Sequence, residues 1–117
     1  MAEKLYVGVD IGGTAIKVGL CNGNGDLLHT FEGPTESERG QDHILRNIAG
    51  YARRCVEESS FAWDQVAGVG VGIAGFLDLA RGFIKFSPNL PLSNVPLRDH
   101  LEAELGKPVR VNNDANV

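Results

Sequence analysis

The sequence has 117 residues, 43% of them hydrophobic and 22% charged, a balance that belongs to a folded globular chain rather than a disordered one. That length supports one hydrophobic core and is short for an enzyme that must enclose two substrates. A formal net charge of -4 argues against a nucleic-acid surface, which would be basic, and the longest apolar runs fall well short of the roughly 20 residues that cross a bilayer.

Leu5–Ile11 reads as a buried strand. It runs into Asp10-Ile11-Gly12-Gly13-Thr14, where two glycines let the backbone turn hard, reach positive φ and approach a ligand closely. Backbone amides in such a turn make a concave anion site that suits a phosphate. Asp10, at the strand's end, is placed to hold a magnesium ion through water. Read alone, the same residues describe a plain hairpin turn into Ile16–Cys21. The second strand, Ala15 to Cys21, alternates Ile16, Val18 and Leu20. Asn22-Gly23-Asn24-Gly25 then turns the chain, so that Asp26 to Phe31 returns as a third, antiparallel strand. Gly33 to Gly40 is polar, contains Pro34 and reads as an exposed loop.

Ile44, Ile48, Tyr51, Cys55 and Val56 recur at helical spacing and predict a helix from about Gln41 to Ser59, with Arg46, Arg53, Arg54, Glu57 and Glu58 facing water. Phe61 and Trp63 pack where this helix hands over to the next strand. Val66 to Ile73 carries the alternation Val69-Gly70-Val71-Gly72, the pattern of a central strand that another backbone approaches closely. Ala74-Gly75 ends it. Phe76 to Phe86 reads as a hairpin turning at Ala80-Arg81-Gly82, and Ser87-Pro88-Asn89-Leu90-Pro91 as a stiff loop. A helix starts near Pro96, carries Leu97, Leu101 and Leu105, and stops at Gly106 and Pro108. Val109 to Val111 is the last strand, followed by Asn112-Asn113-Asp114-Ala115-Asn116. Cys21 and Cys55 have neither paired spacing nor a histidine neighbour, so they are read as reduced, mostly buried thiols. His29, His43 and His100 are read as solvent-facing and without a role. No charged leader precedes an apolar signal segment, which points to the cytoplasm.

Strands separated by helices run parallel with right-handed crossovers. With the meander on one side and the two later strands added beside the first, the first, fourth and fifth strands are expected side by side, with their carboxyl ends on the edge where open α/β sheets bind ligands. Asp10 with Gly12-Gly13-Thr14, Ala74-Gly75 and Asn113-Asp114 arrive there. Such a set suits phosphoryl transfer to a hydroxyl, in which a carboxylate accepts the nucleophile's proton. Asp114 is the candidate base, against the plainer reading of a helix cap. The same handedness puts both helices on one face of the sheet. The other face is expected to be an apolar patch that drives association unless something covers it.

Four blocks, Asp10-Ile11-Gly12-Gly13-Thr14, Gly70-Val71-Gly72-Ile73-Ala74-Gly75, Ser87-Pro88-Asn89-Leu90-Pro91 and Asn113-Asp114-Ala115-Asn116, resemble in order and spacing the amino-terminal half of the ROK sugar kinases, bacterial glucokinases among them. The resemblance implies an α/β, actin-like ATPase (ribonuclease-H-like) fold with a five-stranded mixed sheet and helices. Residues 1–117 would form one half of a two-domain enzyme built around a cleft. It implies ATP-dependent phosphorylation of a hexose, glucose to glucose 6-phosphate first, with N-acetylglucosamine, mannose or fructose as alternatives. By the same resemblance, Asp10, Gly12, Gly13 and Thr14 meet the ATP phosphates and Mg2+. Gly75, Asn89, Asn113 and Asp114 hold the sugar, and Asp114 is the base. Zinc belongs to the absent second half, which also supplies the helix that covers the sheet. The whole protein is expected to be a dimer, and this piece alone inactive. A sugar-responsive regulator of the same family is disfavoured by the acidic charge, and a non-catalytic assembly module by the retention of Asp10 and Asp114. Two departures stand out: Ala15 occupies a place where many members have lysine, with Lys17 the nearest, and Ala74 one where many have proline.

Overall fold

The computed structural model describes residues 4–88 and 90–113. β1 (Leu5–Ile11) buries Leu5, Val7, Val9 and Ile11 and turns Tyr6, Gly8 and Asp10 the other way, the alternation of a sheet with one covered face. β2 (Ala15–Asn22) pairs antiparallel with it from Ile11↔Ile16 back to Leu5↔Asn22. β3 (Leu27–Pro34) pairs antiparallel with β2 out to Ala15↔Pro34 and so runs past its expected end at Phe31. Gly33 and Pro34 therefore belong to the sheet, not to a loop. An edge strand tolerates the proline, and the glycine makes room for Tyr51, whose ring would lie 2.7 Å from a Cβ at that position.

α1 (Gln41–Glu58) buries Ile44, Leu45, Ile48, Ala49, Ala52, Cys55 and Val56 against the sheet. Arg53, expected in water, instead donates to the Glu104 carbonyl at 3.0 Å and lies 4.8 Å over the Trp63 ring. Burial pushes the Cys55 thiol above its ordinary pKa. Cys21 is only half-buried, because it sits on the face away from the helices.

β4 (Val66–Ile73) runs parallel to β1. β5 (Phe76–Asp78), β6 (Phe83–Phe86) and β7 (Ser93–Val95) form a small second sheet in that order. The hairpin was legible in the sequence; β7 was not, since three residues carry no periodicity. α2 (Leu97–Leu105) buries its three leucines and stops at a left-handed Gly106 with φ 67°. β8 (Val109–Asn113) extends two residues beyond the expected Val111 and pairs parallel with β4.

The main sheet has the order β3-β2-β1-β4-β8, with both crossovers stepping the same way, so that right-handedness puts their helices on one face. α1 and α2 share one core with its inward side chains. The Trp63 indole, donating to the Leu105 carbonyl at 3.2 Å, ties the segment after α1 to the end of α2. The opposite face is open and its troughs are lined mainly by apolar surface, as expected, but that surface is made largely around strand glycines rather than by large side chains. Glycines occupy its centre, and a Cβ at Gly8 or Gly70 would meet nothing within 4 Å. Tyr6, 41% exposed, and Leu27, 65% exposed and lying over Gly19, are large apolar side chains on it among the described residues. The close approach expected at Gly70 is thus not made by the described residues. Troughs of about 400 and 510 Å³ run along this face.

Glycine in a strand interior weakens it unless something packs close. The isolated chain is therefore expected to self-associate through this face, with a sedimentation coefficient that rises with concentration. A concentration-independent monomer with a sharp unfolding transition would show that the face stands uncovered. No helix among the described residues is long and apolar enough to cross a membrane.

Candidate active site

Register brings the parallel strands to a common end. Ile11 pairs with Ile73, and Ile73 with Asn113, so β1, β4 and β8 finish in one row. The Gly12–Thr14 turn, the Ala74-Gly75 corner and Asn113 consequently meet at the carboxyl edge, as the topology predicted.

The turn is framed as a tight hairpin: the Gly12 amide donates to the Ala15 carbonyl at 2.9 Å. Neither Gly12 nor Gly13 is among the positive-φ glycines, which corrects the expectation of a left-handed backbone here. Gly12 is needed for room, since a Cβ would stand 2.9 Å from the Ala15 oxygen. Asp10 lies opposite Lys17 in register. Both line the open-face trough together with Asn112. Lys17 thus places a cation on the same face as the Asp10 carboxylate.

The segment after β3, expected to be an exposed loop, holds this turn. Thr35 is fully buried. Its hydroxyl donates to the Gly12 carbonyl at 2.7 Å, its amide to the Thr14 carbonyl at 2.9 Å, and the Ser37 hydroxyl to the Gly13 carbonyl at 2.6 Å. Between them Glu36 adopts a left-handed conformation, φ 59° and ψ 50°, which is uncommon for a residue with a side chain. Its carboxylate is held by His43 Nε2 at 2.9 Å and more weakly by Asn47 Nδ2 at 3.4 Å. The His43 hydrogen bond first, and that of Asn47 second, lower the Glu36 pKa. His43 is therefore engaged rather than free in solvent, and His29 also faces a carboxylate, with Nε2 3.6 Å from Glu58. Only hydroxyl side chains shortly after an edge strand could have signalled the Thr35 and Ser37 contacts, and that signal is common.

The corner at Gly75 is crowded. Its φ is +153°, and a Cβ there would stand 2.6 Å from the Phe86 carbonyl oxygen. The Gly75 carbonyl accepts from the Asn113 amide at 3.1 Å, and the Ala74 carbonyl from the buried Ser87 hydroxyl at 2.9 Å. Ser87 uses a backbone carbonyl, so alanine in place of proline at position 74 leaves this bond available. Leu90 and Leu92 are buried and pin the other end of the loop. Asn89 and Asp114, expected at the sugar, lie outside the described residues.

Among the described residues no three or more His, Cys, Asp or Glu side chains gather into a metal cluster. A magnesium ion shared with phosphates asks for only one or two carboxylates, and Asp10 fits that demand.

A family model described as the ROK family matches residues 6–117. The chain is similar to a glucokinase of Halalkalibacterium halodurans, at 36% identity over 100% of this chain and 36% of that protein. It is also similar to a glucokinase of Thermotoga maritima, at 39% identity over 99% of this chain and 35% of that one. A ROK family glucokinase from Streptomyces griseus, solved in complex with glucose and AMPPNP, matches with a TM-score of 0.83 and 37% identity over 96% of this chain and 34% of that chain. The chain spans about a third of the length of the relatives it matches.

Proposed function

The chain belongs to the ROK family, and on that premise we propose that it is the amino-terminal domain of an ATP-dependent hexose kinase whose second domain lies outside this chain. The observation that carries the reading is the single row formed by Ile11, Ile73 and Asn113, because it gathers the Gly12–Thr14 turn, the Ala74-Gly75 corner and Asn113 at one edge, which supports a shared site there. Similarity to glucokinases makes glucose the first acceptor.

In this reading the Gly12–Thr14 turn receives the ATP phosphates. Asp10 holds Mg2+, whose charge would offset that of the phosphate oxygens. Gly75, Asn89 and Asn113 surround the sugar. Asp114 accepts the proton of the attacking hydroxyl as its oxygen bonds to the γ-phosphorus. The bond from that phosphorus to the bridging oxygen breaks, and ADP leaves with the electron pair. The chemistry is mostly positioning and charge stabilisation, which suits a site assembled from strand ends. The whole protein is read as a cytoplasmic homodimer, and the isolated piece as inactive for want of the other wall.

The test is a phosphorylation assay of the whole protein with ATP against glucose, N-acetylglucosamine, mannose and fructose. Glucose is expected to give the highest kcat/KM. Transfer to none of the four would overturn the kinase reading, and a different preferred sugar would replace glucose within it.

A further inference from the structure

We propose that Thr35, Glu36 and Ser37 form a strap that holds the Gly12–Thr14 turn in its nucleotide-receiving shape, a positioning role that rests on the nucleotide reading of that turn. Three successive carbonyls, of Gly12, Gly13 and Thr14, accept hydrogen bonds from the strap. The described chain has no cis peptide, and a planar trans peptide sends its N–H opposite its C=O. Fixing the Gly12 and Gly13 carbonyls toward the strap therefore aims the Gly13 and Thr14 amides away from it, toward the exposed side of the turn. Among the described residues neither amide donates to another group. Amides pointing together into open space are what an anion needs.

Glu36 makes the strap work by its backbone. Its left-handed conformation reverses the chain between two residues whose hydroxyls must reach adjacent carbonyls. Such a conformation persists only where surroundings over-determine it. Here α1 does so through His43 and Asn47 on Glu36, and through Asn47 on the Thr35 carbonyl at 3.2 Å. The first turns of α1 are thereby coupled to the phosphate turn without touching a ligand.

The experiment measures ATP and glucose binding to the whole protein by calorimetry, with steady-state KM values alongside. Thr35→Val keeps the buried shape and removes the hydroxyl. Ser37→Ala removes the second donor at a less buried position, and Thr35→Ser restores the first. Thr35→Val and Ser37→Ala are each expected to weaken ATP binding about 5- to 20-fold, on the scale of a lost hydrogen bond. Glucose affinity should stay within about two-fold, and Thr35→Ser should recover ATP binding. Equal losses for both ligands, unchanged ATP binding, or failure of serine to rescue would overturn the strap. Binding is scored apart from turnover. A protein that holds ATP yet phosphorylates no sugar would remove the kinase reading, while the Thr35→Val comparison still decides the strap. Absence of any ATP binding in the unaltered protein would overturn both.

Discussion

Asp114→Asn in the whole protein is expected to lower kcat by about 10²- to 10⁴-fold, the range a positioned general base supplies, while glucose binding stays within a few-fold. Asparagine keeps the size of the side chain and its ability to hydrogen-bond a hydroxyl, but it cannot take the proton. The substitution also separates the two readings of this residue. Asparagine caps a helix about as well as aspartate, so a residue serving only as a cap would leave turnover and thermal stability nearly unchanged. Steady-state kinetics beside calorimetric glucose titration give the answer, and an Asp114→Asn enzyme with wild-type kcat would end the base assignment. The neighbour is part of the edge itself: Asn113 ends β8 and donates to the Gly75 carbonyl.

Gly75→Ala is expected to destabilise the protein by about 2–4 kcal/mol, combining a backbone region nearly reserved for glycine with overpacking. At φ +153° the new Cβ would stand 2.6 Å from the Phe86 oxygen. That atom is backbone, so relief requires moving β6 or the corner itself. Movement of the corner displaces the Gly75 carbonyl from the Asn113 amide, and glucose affinity should then fall together with stability. Gly50→Ala is a control of opposite sign. This glycine is on α1 with nothing within 4 Å of a Cβ, and alanine there should stabilise by up to about 1 kcal/mol. Chemical denaturation of both variants compares them directly; a Gly75→Ala protein as stable as Gly50→Ala would refute the steric account of the corner.

Much of the architecture was legible because it follows from local rules. Alternation in Leu5–Ile11 and the leucine spacing of Leu97, Leu101 and Leu105 are properties of neighbouring residues. The tendency of sequential strands to lie side by side suggests the strand order, and crossover handedness the side on which the helices lie. The exposed-loop reading of Gly33–Gly40 failed for the complementary reason. The hydroxyl of Thr35 meets a carbonyl 23 residues away, and a hydrogen bond between distant residues leaves no period in the sequence. His43 was misread likewise, since its partner Glu36 faces it only because of a left-handed turn that composition does not announce.

The open face divides between the two levels of information. Its existence followed from two crossovers of one hand, and the sequence alone determined that both helices would share a side. Its character did not follow, because strand glycines read as evidence of close approach by a neighbour. The structure puts Gly8 and Gly70 against open space, so much of the expected apolar face is built around strand backbone rather than from large side chains. By itself the sequence determined the strands, the helices, their order and the edge at which the site residues gather, since periodicity and chain chirality act locally. Only the tertiary structure decided which carbonyls of the phosphate turn are held, which way its amides point and why Gly75 admits no side chain, since those depend on distances between segments far apart in the chain.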